Sequence, residues 1–187
     1  MASSGPRYPT ATGQVARSPY DDIDWSNPSY ITSDDDSRAA FISSPKDSPP
    51  RYSYVLYASS FGFSIPDDAI VNGIKVEIGA KGGSADLYYV ALRNTSSTPW
   101  GTAKNPNSSL SSTEVVNAYG GDSDTWGLTG LTGADINASD FGVELAVRST
   151  SSPASAHVDF VRVTVYYTEA AGGVPKHSDH YMRRRAA

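Results

Sequence analysis

The chain contains no cysteine. Disulfides and thiolate metal centres are therefore excluded. Its histidines are His157, His177 and His180, too few and too scattered for a His-rich centre. No window approaches the roughly 20 apolar residues of a membrane-spanning helix. Met1-Ala2-Ser3-Ser4-Gly5-Pro6 lacks the basic segment and apolar stretch of a secretory leader. The expectation is a soluble protein with no membrane partner and no secretion signal. Helical periodicity is also missing: no segment of about ten residues repeats its apolar side chains at helical spacing. Hydrophobic residues make up 39% of the 187 residues, so a modest core and long loops are expected.

What the chain does contain is period-two alternation. Ile74, Val76 and Ile78 alternate with Lys75 and Glu77, the pattern of a strand with one wet face. Phe141, Val143, Leu145 and Val147 alternate in the same way. So do Val161, Val163, Val165 and Tyr167, with Arg162 and Thr164 opposite. From Asp86 to Arg93 both faces are apolar, with Leu87, Tyr89 and Ala91 on one and Tyr88, Val90 and Leu92 on the other. That marks a central strand. Shorter strand signals lie at 39–42, 52–58, 114–118 and 123–128. Residues 94–112, around Trp100, read as a long loop, and Ala134–Ser139 as one helical turn. The sum is an all-β chain, a single antiparallel β-sandwich of about eight or nine strands, jelly-roll-like. Twelve tyrosines against five phenylalanines suit half-buried strand positions, where a ring packs and its hydroxyl reaches water.

Three segments follow. Residues 1–24 are rich in Pro, Ser and Gly and read as an extended N-terminal arm. Val15, Tyr20, Ile23 and, at the entry to the body, Trp25 are spaced anchors that can order such an arm on a neighbouring subunit. Residues 25–169 form the sandwich. Residues 170–187 open with Ala-Ala-Gly-Gly and form a flexible basic tail. In 175–187, Lys176, Arg183, Arg184 and Arg185 outweigh Asp179, four less one, for +3. With a net charge of −5, the rest of the chain carries −8. An acidic body does not attract nucleic acid. Arg183, Arg184 and Arg185 can contact an acidic patch on a partner protein or DNA phosphates, or act as a solubilising tail. Tyr20, Trp25 and Arg183–Arg185 are taken as partner-binding residues, and direct DNA contact is not expected.

Candidate chemistry is sparse. Asp34-Asp35-Asp36, with Asp21, Asp22 and Asp24, offers the oxygen ligands calcium prefers. The spacing is not that of an EF-hand, and the reading adopted is a solvated acidic loop with no metal. Gly120-Gly121-Asp122-Ser123-Asp124 reads as a turn. His157 and Asp159 are two apart on a strand, so alternation puts them on one face. No Gly-x-Ser-x-Gly elbow accompanies them, and no catalytic residue or cofactor is assigned. Trp100, Trp126, Tyr88 and Tyr119 are candidates for a sugar-stacking platform, although rings on strands are more often core.

Two stretches carry a resemblance. One is Phe61-Gly62-Phe63-Ser64-Ile65-Pro66-Asp67-Asp68-Ala69-Ile70-Val71-Asn72-Gly73-Ile74-Lys75-Val76-Glu77-Ile78. The other runs from Thr125-Trp126-Gly127-Leu128 through Ala134-Asp135-Ile136-Asn137-Ala138-Ser139-Asp140-Phe141-Gly142-Val143 to Val163-Thr164-Val165-Tyr166-Tyr167-Thr168. Together they resemble a β-sandwich domain of structural proteins in tailed-bacteriophage virions, over about residues 25–168. The resemblance implies a non-enzymatic virion protein, found in the particle and in the host cytoplasm during assembly. Its implied partners are other virion proteins (portal or connector, major capsid or tail proteins), bound at the head–neck region or the capsid exterior. Several symmetric copies, or a homo-oligomer, are expected. The alternatives are a carbohydrate-binding host-adhesion module and a tail- or fibre-attachment protein.

Overall fold

In the computed structural model of the chain, residues 1–95 and 97–170 are described, with backbone only at 97 and 98. Among the described residues there are eleven strands: β1 (Ala2–Arg7), β2 (Ala11–Val15), β3 (Ala39–Ile42), β4 (Val55–Ser59), β5 (Ile70–Gly83), β6 (Ala85–Asn94), β7 (Ser97–Lys104), β8 (Ser108–Ser109), β9 (Val115–Gly120), β10 (Gly142–Ser149) and β11 (Ser155–Thr168). A 3₁₀ turn, Pro28–Ile31, and one short helix, α1 (Gly133–Asn137), complete the described elements. The strands form two antiparallel sheets. The five-stranded sheet runs β1-β11-β5-β9, with β3 also on β11; the six-stranded sheet runs β2-β4-β10-β6-β7, with β8 also on β6. The architecture is the expected β-sandwich.

The core lies between the sheets. Ile74, Val76 and Ile78 of β5 and Val161, Val163 and Val165 of β11 face Leu87, Val90 and Leu92 of β6 and Val143, Leu145 and Val147 of β10, all essentially inaccessible. Each contributes roughly 1.5–3 kcal/mol of hydrophobic transfer free energy. One expected alternation is corrected. In the β10–β6 pairing Ala146 faces Tyr89 and Val147 faces Leu87, leaving Tyr88 as a bulge. The extra residue shifts the parity, so Leu87 joins Val90 and Leu92 in the core while Tyr89 and Ala91 face outward.

The two sequence stretches of the resemblance meet in space. Asn137 of α1 donates to the Ile65 carbonyl (2.7 Å) and accepts from the Ile65 amide (2.9 Å). Gly133 N–H donates to Ala69 O at 2.9 Å, and a Cβ at Gly133 would lie 2.0 Å from the Pro66 carbonyl oxygen. Only glycine permits that approach. Phe61, Phe63 and Phe141 pack ring against ring at about 6 Å. Trp126 donates its Nε1–H to the Ile74 carbonyl at 3.0 Å. Asn72 is the bulge between Gly73↔Tyr166 and Val71↔Tyr167, inside β5.

The N-terminal segment departs from expectation. Residues 1–24 do not form a free arm: β1 pairs with β11 and β2 with β4. Ala-Ser-Ser-Gly-Pro-Arg has little intrinsic strand preference, but the edges of β11 and β4 offer unpaired main-chain groups, and pairing satisfies both sides. The long loop expected at 94–112 likewise contains β7 and β8 on the edge of β6. Residues 123–128 form a turn rather than a strand, with Trp126 at φ 57° and buried. The flexible tail expected at 170–187 lies outside the described residues except for Ala170.

Candidate functional site

Of the expected partner-binding residues, Trp25 is a correction. Trp25 is 2% exposed and plugs the core against Phe41. Its indole N–H donates to the Tyr54 carbonyl at 2.8 Å, and Gln14 of β2 engages its backbone amide and carbonyl. It is a core residue, because Gln14 of β2 and the Ile23↔Ser53 bridge hold its segment against the body. Tyr20 is half-buried on the outer side of the six-stranded sheet. It packs on Tyr89 (centroids 5.0 Å), Tyr52 (6.0 Å) and Tyr88 (6.3 Å). Burial, then the neighbouring Tyr88, raise its phenol pKa. Arg183, Arg184 and Arg185 lie outside the described residues.

The sugar-platform candidates are dispersed. Trp126 is fully buried, and Trp100 sits edge-on to Phe141 at 6.3 Å. Tyr119 packs against the core, and burial pushes its phenol pKa up to about 12. Tyr52 and Tyr88 meet at 64°, so their faces are not coplanar. The Gly120–Asp124 segment is a turn, closed by a Gly121↔Asp124 bridge, and Asp124 is already engaged by Lys104 (2.7 Å) and the Trp126 amide (2.8 Å).

Two buried carboxylates were not singled out as such by the sequence. Glu144 of β10 points outward yet is 1% exposed, beside Ala16 and Arg17. Arg17 reaches both its oxygens (3.2 and 2.9 Å), and the Tyr89 hydroxyl donates to it at 2.5 Å. An outward Glu inside an apolar run was the available sequence signal.

The second is Asp159. In the β11–β5 pairing Val158 faces Ala80 and Phe160 faces Gly79, so Asp159 is a bulge without an opposite residue. The bulge breaks the alternation that would align it with His157. Asp159 is 1% exposed, and among the described residues neither carboxylate oxygen has a hydrogen-bond partner. His157 is therefore not bonded to it, and the pair is not an imidazole–carboxylate dyad. Burial, followed by the charge of Glu114, raises the Asp159 pKa; the amides of Asp35 and Asp36 oppose this from positions short of a well-formed hydrogen bond. Oxygens of Asp34, Glu114 and Asp159 lie within 4.8 Å of one another. Arg38 braces the group, donating to Oε2 of Glu114 twice (3.1 and 2.9 Å) and to Asp36. The acidic loop expected to be solvated is exposed at Asp34, Asp35 and Asp36, and it brings Asp34 beside a buried carboxylate.

The third feature is β9, the end strand of its sheet. Its sequence, Val-Val-Asn-Ala-Tyr-Gly, carries no charge, and Val115 and Val116 are 47% and 45% exposed. No model of a known protein family matches the chain, and neither does any curated protein.

Proposed function

We propose that the chain is a non-enzymatic structural subunit of a tailed-bacteriophage particle that binds neighbouring virion proteins, at the head–neck region or the capsid exterior. The phage part of this reading rests on the resemblance of the two stretches 61–78 and 125–168. The observation that supports binding is the β9 edge. Edge strands are usually blunted by lysine, proline or a bulge, because their free main-chain groups recruit another chain. β9 has none of these and presents two exposed valines beside them. A strand of a neighbouring virion protein laid along β9 would gain main-chain hydrogen bonds and cover both valines. Repetition by symmetry would multiply a weak contact.

The test is incorporation. Val116→Lys places a charge on the edge and should change stability by less than about 0.5 kcal/mol, as for an ordinary surface substitution. It should nevertheless lower the copy number in purified particles, read by quantitative mass spectrometry. Cross-links from Lys75 and Lys81, which flank β9 on β5, should reach another virion protein. Wild-type incorporation of the variant would remove β9 from the proposal. Absence of the wild-type chain from particles would remove the virion role.

A further inference from the structure

We propose that Asp34, Glu114 and Asp159 form a binding site for one calcium ion. Three observations converge. The first is the cluster itself, with oxygens from three carboxylates within 4.8 Å. A single calcium with Ca–O distances of about 2.4 Å can bridge oxygens up to about 4.8 Å apart, so the three carboxylates fit within one ligand shell.

The second is Asp159, which is buried and aimed into the cluster with both oxygens unpartnered among the described residues. An ionised carboxylate without a hydrogen bond or counter-charge is among the least favourable groups to bury. It is expected to protonate or to hold a cation. The neighbouring amides of Asp35 and Asp36 compensate only partly.

The third is charge balance. Four carboxylates, Asp34, Asp36, Glu114 and Asp159, gather around one guanidinium, Arg38. Arg38 spends its bonds on Asp36 and on Oε2 of Glu114, and none on Asp159 or Asp34. Both Arg38 bonds to Glu114 fall on Oε2. Asp34, exposed on its loop, gives solvent access and leaves room for water ligands. Hard carboxylate oxygens with water completing the shell are the ligand class of calcium.

The ion would join three parts distant in sequence: the 33–38 loop, the bulge of β11 and the residue that precedes β9. The inference does not rest on the virion reading, since it is tested on the isolated chain.

The experiment is calorimetry and thermal unfolding of the full-length chain, stripped with chelator and titrated with CaCl₂. The expected result is one equivalent bound, with Kd on the order of 10⁻⁴–10⁻³ M, as in extracellular calcium modules with few charged ligands. Calcium at about a hundredfold excess over Kd should raise Tm by about 5–10 °C. Asp159→Asn keeps the shape of the side chain and should abolish both signals, and Glu114→Gln should weaken binding by about tenfold or more, as loss of a charged ligand does. No heat and no Tm change up to about 10 mM, tenfold above that Kd range, would overturn the site. So would wild-type binding by a folded Asp159→Asn, and an equal or stronger response to MgCl₂ would overturn the choice of calcium.

Discussion

Glu144 and Asp159 are equally buried, each 1% exposed, and each sits on a long central strand of its sheet. Their surroundings are opposite. Glu144 has a guanidinium on both oxygens and a phenol on one. Asp159 has neither, and its nearest charged neighbours include another carboxylate. The first arrangement is closed: every strong valence is met within the chain, and the segment carrying Arg17 and Tyr20 is thereby fastened to the sheet. The second is open, because the nearby Arg38 is bonded to Asp36 and Glu114 and no cation is bonded to Asp159 among the described residues. Burial alone therefore does not distinguish a structural carboxylate from a binding one; the partner inventory does.

The comparison breaks most visibly at Arg17. Arg17→Met leaves Glu144 buried with only Tyr89. Stability should fall by about 2–4 kcal/mol, somewhat less than the roughly 3–5 kcal/mol for a fully buried pair because Arg17 is 29% exposed. Urea unfolding measures this, and a loss under about 0.5 kcal/mol, the ordinary surface range, would mean the pair is not closed.

The substitution at the other carboxylate should have the opposite sign. Without calcium, Asp159→Asn should stabilise the chain at neutral pH by about 1–2 kcal/mol, since a neutral amide removes the desolvated charge. The pH dependence follows from the raised pKa. The folded state keeps the Asp159 proton to higher pH than the unfolded chain, whose group titrates near 3.8. Stability from this group is thus complete below that value and declines as pH rises from it to the raised folded value. The charged groups that face it are Asp34 and Arg38 from the loop and Glu114 before β9. His157 has its pKa lowered by burial, then by Lys81 and Arg38. Calcium-free melts from pH 4 to about 7 should show the wild type losing ground to Asp159→Asn as pH increases. Parallel curves would refute the desolvated-charge account.

The smallest effect should come from Arg38, 18% exposed and shared between Asp36 and Glu114. Arg38→Gln should cost at most about 1 kcal/mol without calcium. By removing a competitor for Glu114 it should tighten calcium binding several-fold in the same titration. Weaker binding would mean that Arg38 positions Glu114 rather than competing for it.

Much of this fold is legible in residue order. The alternations at 74–78, 143–147 and 161–165 predict strands of a sandwich, and these are the central strands of both sheets. Burial of one face dictates period two, and that signal is local. β1, β2 and β7 were not legible, because Ser, Gly and Pro in those segments form strands only where a neighbouring edge is already present. Trp25 is visible as an anchor, but its target, a core held by Gln14 and Tyr54 of the same chain, is not. The acidic run at 34–36 is plain in the sequence, and so are Glu114 and Asp159 taken singly.

The sequence by itself determined an acidic, cysteine-free, all-β chain and the pattern of its central strands, because composition and alternation act residue by residue. The tertiary structure alone decided which acidic side chains lose water and which of them meet. One unopposed residue in the β11–β5 ladder places Asp159 without a partner beside Asp34 and Glu114, and a bulge is a property of two paired strands, not of either one alone.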